Sequence, residues 1–411
     1  MAQTVTAKKK EVNKTVPKKK GFLFNSEYRN MPMFDLPFLF IVLLILIVGL
    51  FMLFSSGYAA ALSKTGNSYY FISKQIQWAA IGIVVMLAAS VLPSLIDRKI
   101  YNLAIMGFYV LSIILLIIVL IVSKDSEKRW LYVGSFQFQP SEFAKLAIIM
   151  MLALYISVYK DKMNTFVNGI VFPGIIFGTC FILVFLEPHL SGAILIAGIG
   201  YVMMFSGGCN KIIAVGGLVA VLAAFFILDY FIVEQGNNLF LADYQAKRFV
   251  IWHDPTQDLY GAGFQPYQST LTIGSGGLFG LGYGKSRQKY LFLHEPQKDY
   301  IFSIISEELG FVGVIIIMLL FVFLIWRGFH IGIRARNTFE SMLVIGIISK
   351  VAIQTLLNFA VVSNSIPATG ISLPFFSYGG TALCVQLVEM GLVLHASRFA
   401  YLDKGKGENQ E

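Results

Sequence analysis

Charge is scarce in this chain. Of its 411 residues, 13% are Asp, Glu, Lys or Arg, while 56% are hydrophobic. A soluble domain carries roughly 25% charged residues, so composition argues against a soluble globular fold. Cysteine is scarcer still. Cys180, Cys209 and Cys384 lie in or beside apolar runs, with no CxxC pair and no Cys/His cluster. They read as small buried hydrophobes, without a disulfide framework or a zinc site. No GxxxxGK[ST] phosphate loop occurs, which argues against a pump that is driven by nucleotide on its own.

Uninterrupted apolar sequence is abundant. Leu36 to Ser55, Leu103 to Ser123 and Ile212 to Val233 each carry about 20 largely uncharged residues. A helix of that length crosses roughly 30 Å of hydrocarbon. Ten spans are predicted, near 36–55, 75–93, 103–123, 140–159, 167–186, 190–206, 212–233, 304–326, 339–362 and 380–398. The fold class is therefore an all-α polytopic membrane protein with ten transmembrane helices and a long loop between the seventh and eighth. The expected plan is a basic tail over 1–35, a membrane domain over 36–398 and a short tail over 399–411.

Net charge is +9, and seven lysines crowd between Lys8 and Lys20. Ahead of a span, such a run reads as a cytoplasmic anchor on anionic lipid heads in preference to a nucleic-acid arm, so no nucleic-acid partner is expected. The tail has no apolar stretch or cleavage site and does not read as a signal peptide. Arg98, Lys99, Lys160, Lys162, Lys211, Arg327, Arg334, Arg336 and Arg398 fall on the same side as that tail. The positive-inside rule then puts both termini in the cytoplasm. The loop near 234–303 and the segments near 124–139, 187–189 and 363–379 face outward.

A loop of that length is more than a connector. Glycine is dense from Gly274 to Gly284, and successive backbone N–H groups there could form an anion-binding nest. Lys247, Arg248, Lys285, Arg287 and Lys289 add positive charge, and Glu295, Asp299, Glu307 and Glu308 add carboxylates. Asp299 stands just before a span. A partly desolvated carboxylate there serves as a general base, or as a helix N-terminal acid that favours the dipole. Spacing alone leaves both open. Glu142 and Lys145 share a helix face at the start of the fourth span, as a structural ion pair or as catalytic groups. Glu187 and His189 meet at the outer turn between spans five and six, and Lys350 lies deep in span nine.

The ordered motifs carry a resemblance. RWLYVGSFQFQPSEFAKL at 129–146, EPHLSG, GFQPYQSTLTIGSGGLFGLGYGKSRQKY, HEPQKDYIFSIISEELG and IPATGISLPFFSYGGTAL resemble, in order, the SEDS family of shape, elongation, division and sporulation proteins. The GLGYGKSRQKY segment looks most like the division branch, with the sporulation branch close to it. The resemblance implies a peptidoglycan glycosyltransferase. Its donor is a glycan on undecaprenyl pyrophosphate, its acceptor is lipid II, and it forms a β-1,4 bond with inversion. The family's essential acidic residue falls on Asp299, with Glu295 as its helper.

For substrate and pyrophosphate the candidates are Arg129, Trp130, Glu142, Lys145, Lys247, Arg248, Gln268, Ser269, Ser275 and Ser377. A divalent cation, Mg or Mn, is expected, with Asp299 and Glu295 as possible ligands. The implied partners are a class B penicillin-binding protein acting as transpeptidase and other division membrane proteins. The sequence departs from the family pattern at His294, Lys298 and His189. A lipid II flippase, using the intramembrane charges as a polar path, and a non-catalytic scaffold are the alternatives.

Overall fold

The computed structural model describes residues 34–122, 129–133, 136–187, 190–233, 243–290 and 292–400. The lysine-rich tail, His189 and residues 401–411 lie outside the described residues. The helices are α1 (Leu36–Thr65), α2 (Tyr70–Ala89), α3 (Arg98–Val122), α4 (Pro140–Tyr159), α5 (Phe172–Leu186), α6 (Leu190–Ser206), α7 (Lys211–Val233), α8 (Asp243–His253), α9 (Phe264–Ser275), α10 (Ile301–Ile333), α11 (Thr338–Val362) and α12 (Gly380–Phe399). Among the described residues nine helices are long and apolar enough to cross a membrane. The α6 helix is apolar but shorter, at 17 residues.

Local chemistry sets the ends of these helices. Asp35 caps α1 by accepting a hydrogen bond from Phe38 N at 2.9 Å. Gly66, at φ 71°, closes it by donating to Leu62 O at 2.9 Å. The Asn337 side chain accepts from Glu340 N at 2.9 Å and donates to Glu340 Oε1 at 3.0 Å, a reciprocal cap for α11. α12 packs along α2 and α10 along α11, while α4 packs against α3 and α11. In α7, by contrast, the most apolar window has none of its residues buried.

The structure differs from the sequence reading in several places. α1 runs ten residues beyond the predicted 36–55, because AAALSKT continues a good helix until Gly66 stops it. The predicted 234–303 loop contains two helices, α8 and α9. The otherwise helical chain also has a small antiparallel hairpin, β1 (Leu131–Val133) with β2 (Phe136–Phe138).

The glycine-rich segment does not form an anion nest. α10 breaks at Gly310 (φ 67°, ψ −170°), and the segment lies in the break. Leu281 N donates to Glu307 O at 2.9 Å and Gly282 N to Glu308 O at 3.0 Å. In return, Phe311 N donates to Gly277 O at 2.9 Å and Val312 N to Leu278 O at 3.1 Å. The helix break and the loop satisfy each other's backbone. Glu308 is fully buried and accepts from Ser55 Oγ (2.6 Å), Lys289 Nζ (3.1 Å) and Ser286 N (3.2 Å). Ser286 Oγ donates to Glu307.

A side chain at Gly310 would fall on Gly280 N while the backbone stays left-handed. We expect Gly310→Ala to destabilise the protein by about 2–4 kcal/mol. Gly107→Ala, on an open helix face, should be near neutral. Thermal melting in detergent checks this, and equal melting temperatures would remove the role given to the break.

Candidate active site

The turns from Leu293 to Tyr300 lead into α10, and their backbone is tightly held. Tyr378 N donates to Gln297 O at 2.8 Å, Ser377 Oγ to Lys298 O at 2.6 Å and Asn358 Nδ2 to Asp299 O at 2.9 Å. The facing loop, 366–379, is held from three helices. Gln75 Nε2 of α2 donates to Ser377 O at 3.3 Å, and Gln354 Nε2 of α11 donates to Ser372 O at 3.0 Å. Gln386 Oε1 of α12 accepts from Phe375 N at 3.1 Å. Gly370, at φ 70°, lies against the base candidate, since a Cβ there would sit 3.1 Å from Asp299 Oδ2. Arg248 Nη1 donates to Ala368 O at 2.8 Å, which brings its guanidinium to the same loop.

Glu295 adopts φ 48°, an uncommon value for a residue with a side chain. Lys64 Nζ reaches it at 3.0 Å and Lys298 Nζ at 2.9 Å. Partial burial acts to raise its pKa, but the hydrogen bonds and charges of Lys298 and Lys64 outweigh it and leave the carboxyl below its ordinary value. Burial raises the neighbouring Tyr300 phenol, the Asp299 charge adds to that, and Arg248 opposes it.

Deeper in the bundle lies a four-charge cluster. Lys145 Nζ contacts Glu142 Oε1 at 2.6 Å, and Lys350 Nζ contacts Glu389 at 2.6 Å and Glu142 Oε2 at 3.9 Å. All four residues are buried. A polar cavity of about 30 Å³ joins Glu142 and Lys350 to Gln354, Ser372 and Ser377 below the 366–379 loop. That is room for one or two waters.

A polytopic helical bundle with a structured loop, an Asp at a helix entry and a buried charge cluster matches the ordered motifs of the sequence. The family model for FtsW, RodA and SpoVE cell cycle proteins matches residues 36–402. The chain belongs to this family. Stage V sporulation protein E of Bacillus subtilis (strain 168) is 38% identical over 368 residues, covering 89% of this chain and 97% of that protein. A probable peptidoglycan glycosyltransferase FtsW of Geobacter sp. (strain M18) is 32% identical over 371 residues, covering 90% and 98%. Among solved structures, a chain of a peptidoglycan synthase complex that coordinates polymerization and crosslinking matches with TM-score 0.70 at 25% identity, covering 90% of this chain and 99% of that one. The rod shape determining protein RodA of Thermus thermophilus matches in fold with TM-score 0.64 at 24% identity, covering 90% and 98%.

Within this FtsW/RodA/SpoVE frame the sequence-predicted residues separate. Asp299, Ser377 and Arg248 converge on the 366–379 loop. Ser269 is buried and bonds Ser303 Oγ at 2.8 Å and Val362 O at 2.6 Å, tying α9 to the first turn of α10 and the end of α11. Gln268 is half-buried beside it. Ser275 turns back to Thr272 O of its own helix at 2.8 Å. Lys247 pairs with Asp258 at 2.6 Å, and that hydrogen bond helps hold the Asp258 carboxyl below its ordinary value. Glu142 and Lys145 belong to the buried cluster. Arg129 and Trp130 precede the hairpin, where Arg129 faces the fully buried Glu187 electrostatically.

Sequence reasoning missed Lys64, Gln75, Asn358, Gly370 and Glu389. Glu389 carried a readable signal, a lone acid in a predicted span, and it is the carboxylate on another helix that Lys350 requires. The others are ordinary residues until the fold brings them together. For the expected divalent cation, no group of three His, Cys, Asp or Glu that could hold a metal occurs among the described residues. Glu295 is already held between two lysines. Among the described residues, then, no three-ligand set of these side chains is assembled for a metal.

Two outcomes follow from these charges. Lys350→Met leaves Glu389 buried and unpaired and should cost about 3–5 kcal/mol, whereas Lys350→Met with Glu389→Leu should recover most of that loss. Melting of the single and double variants measures the recovery, and additive losses would contradict the pairing. The lowered Glu295 carboxyl contributes stability that is present above its unfolded pKa, near 4.3, and is lost as pH falls through the folded value. The melting difference between wild type and Glu295→Gln should therefore be present at pH 7 and close below about pH 4. A difference independent of pH would show that the two lysines do not act on Glu295.

Proposed function

We propose that this chain is a peptidoglycan glycosyltransferase that polymerises lipid II into β-1,4 glycan strands at the outer face of the cell membrane, with Asp299 as general base. The observation that carries the assignment of the base is the immobilised Asp299. It stands two residues before α10, with its main chain gripped by α11 and its carboxylate against Gly370. In the reaction Asp299 takes the proton of the acceptor 4-hydroxyl. That oxygen attacks the donor anomeric carbon from the face opposite the pyrophosphate. The bond to the pyrophosphate oxygen breaks, and the configuration inverts.

The leaving group develops negative charge, so cations placed beside the base lower the barrier. Arg248, Lys64 and Lys298 are the cations that the fold gathers near this strand. A Mg or Mn ion would be held chiefly by the pyrophosphate oxygens, with at most one or two protein carboxylates, as magnesium commonly is. In this reading both termini are cytoplasmic and the loop end of the bundle faces outward, as the positive-inside distribution requires. The class B penicillin-binding protein belongs to the proposal through the synthase complex that the fold resembles. The work is cell division, with the sporulation and elongation relatives as the competing assignments.

The flippase reading depends on an open polar path through the membrane. Glu142, Lys145, Lys350 and Glu389 are instead closed on one another, and the cavity beside them has about 30 Å³, far too little for a disaccharide headgroup. That favours polymerisation. The test supplies labelled lipid II with Mg or Mn to the chain purified with its cognate transpeptidase. Asp299→Ala and Asp299→Asn should each lower the polymerisation rate by about 100-fold or more. Glycan strands of wild-type length and rate from both variants would sink Asp299 as the base. No strands from a well-folded wild-type complex would sink the polymerase.

A further inference from the structure

We infer that Asn358 is a positioning residue for the base, acting through the main chain of Asp299; this rests on the reading of Asp299 as base. Asn358 is fully buried near the loop end of α11. Its single side-chain nitrogen donates both protons, one to Asp299 O at 2.9 Å and one to Ile371 O at 2.6 Å. The two acceptors belong to the two walls of the site. One is the carbonyl of the base itself, and the other follows Gly370, whose backbone abuts the base's carboxylate. One amide thereby sets the separation of Asp299 from the wall it lies against.

The chemistry admits few substitutes. Both partners are carbonyls, so a flipped amide would place Oδ1 against two acceptors, and the donor assignment follows from the partners. Asn358 Oδ1 is buried without a hydrogen-bond partner. An orphaned acceptor of this kind costs free energy, and here it stands opposite the two bonds that cross the site. Holding the Asp299 carbonyl fixes the peptide plane leading to Tyr300, and with it the direction of the Asp299 side chain. The two preceding carbonyls are held as well, Lys298 O by Ser377 Oγ at 2.6 Å and Gln297 O by Tyr378 N at 2.8 Å. Three consecutive carbonyls are thus gripped, and Asn358 alone of their donors reaches from a spanning helix.

The same helix supplies a control. Asn337 caps α11 at its other end, where its side chain accepts from Glu340 N at 2.9 Å and donates to Glu340 Oε1 at 3.0 Å. It holds the same helix at a point away from the base.

The experiment uses the full chain with its cognate transpeptidase and labelled lipid II. It compares Asn358→Asp, Asn358→Leu, Ser377→Ala, Asn337→Ala and Asp299→Ala for kcat, KM and melting temperature. Asn358→Asp, with the same shape and at most one donor proton in place of two, cannot hold both carbonyls and should lose at least about 10-fold in kcat with KM within about 2-fold, as expected for a misplaced catalytic group. Asn337→Ala should lower the melting temperature and keep kcat within about 3-fold. Ser377→Ala, a smaller change that frees the neighbouring Lys298 carbonyl, should lower kcat with KM held even if the Asn358 variants fold poorly. Wild-type kcat in Asn358→Asp would overturn the inference, as would an equal kcat loss in Asn337→Ala. Full activity in Asp299→Ala would instead overturn the base assignment beneath it.

Discussion

A backbone carbonyl or amide at membrane depth has no water to turn to, and leaving it unbonded costs several kcal/mol. Regular helices meet this constraint by themselves. This protein departs from regular helix at two places near its loop end, and its architecture there is the set of solutions to that problem. Where α10 breaks at Gly310, four backbone hydrogen bonds with the glycine-rich segment replace those the helix lost. Where the chain runs irregularly from 366 to 379, amide side chains of α2, α11 and α12 bond the loop's own backbone. The first repair is backbone to backbone, and the second reaches across with glutamine side chains; close approach elsewhere leaves room for no side chain at all. Gly49 of α1 shows the limit, since a Cβ there would sit 2.5 Å from Phe375 O.

The buried charges obey the same logic on a larger scale. Isolated ions in this interior would be costly, and three buried lysines each meet a carboxylate, two of them across segments: Lys350 with Glu389, Lys145 with Glu142, Lys289 with Glu308. Arg327 reaches Asp35 with two nitrogens, at 3.1 and 2.7 Å, and joins α10 to the start of α1 at the opposite end of the bundle. Such pairs are weak contributors to net stability, but each accepts one geometry. They fix the register of α1, α4, α10, α11 and α12 against one another. That fixed frame is the support from which Asn358 and Ser377 hold the turns that carry Asp299.

The candidate site lies where the turns from Leu293 to Tyr300 meet the 366–379 loop. Asp299 lies between a clamped main chain and the Gly370 backbone, Arg248 holds the same loop at Ala368, and Lys64 and Lys298 close on Glu295. A reacting group on a freely moving loop would sample many directions, and each lost orientation raises the barrier. These turns and the facing loop therefore make sense as a pair: burial away from water forces their backbones to be bonded, and that bonding holds them rigid.

The membrane class was legible in the sequence because hydrocarbon thickness demands about 20 apolar residues per span, a local property that composition records directly. The ordered motifs also placed Asp299 at a helix entry, and Lys350 announced by its depth that a carboxylate had to meet it. The partner, Glu389, is 39 residues away on another helix, and no spacing rule connects them. The glycine run was legible as permissive backbone, but its use was not. The same N–H groups that could have cradled an anion bond the carbonyls of Glu307 and Glu308, because α10 breaks beside them. Lys247 and Lys289 looked like free cations until folding gave them Asp258 and Glu308. Sequence thus determined which segments are apolar enough to enter a membrane and which residues would be costly there. Tertiary structure alone decided which donor meets which acceptor, because a hydrogen bond or ion pair depends on distances of about 3 Å between residues that the chain keeps far apart.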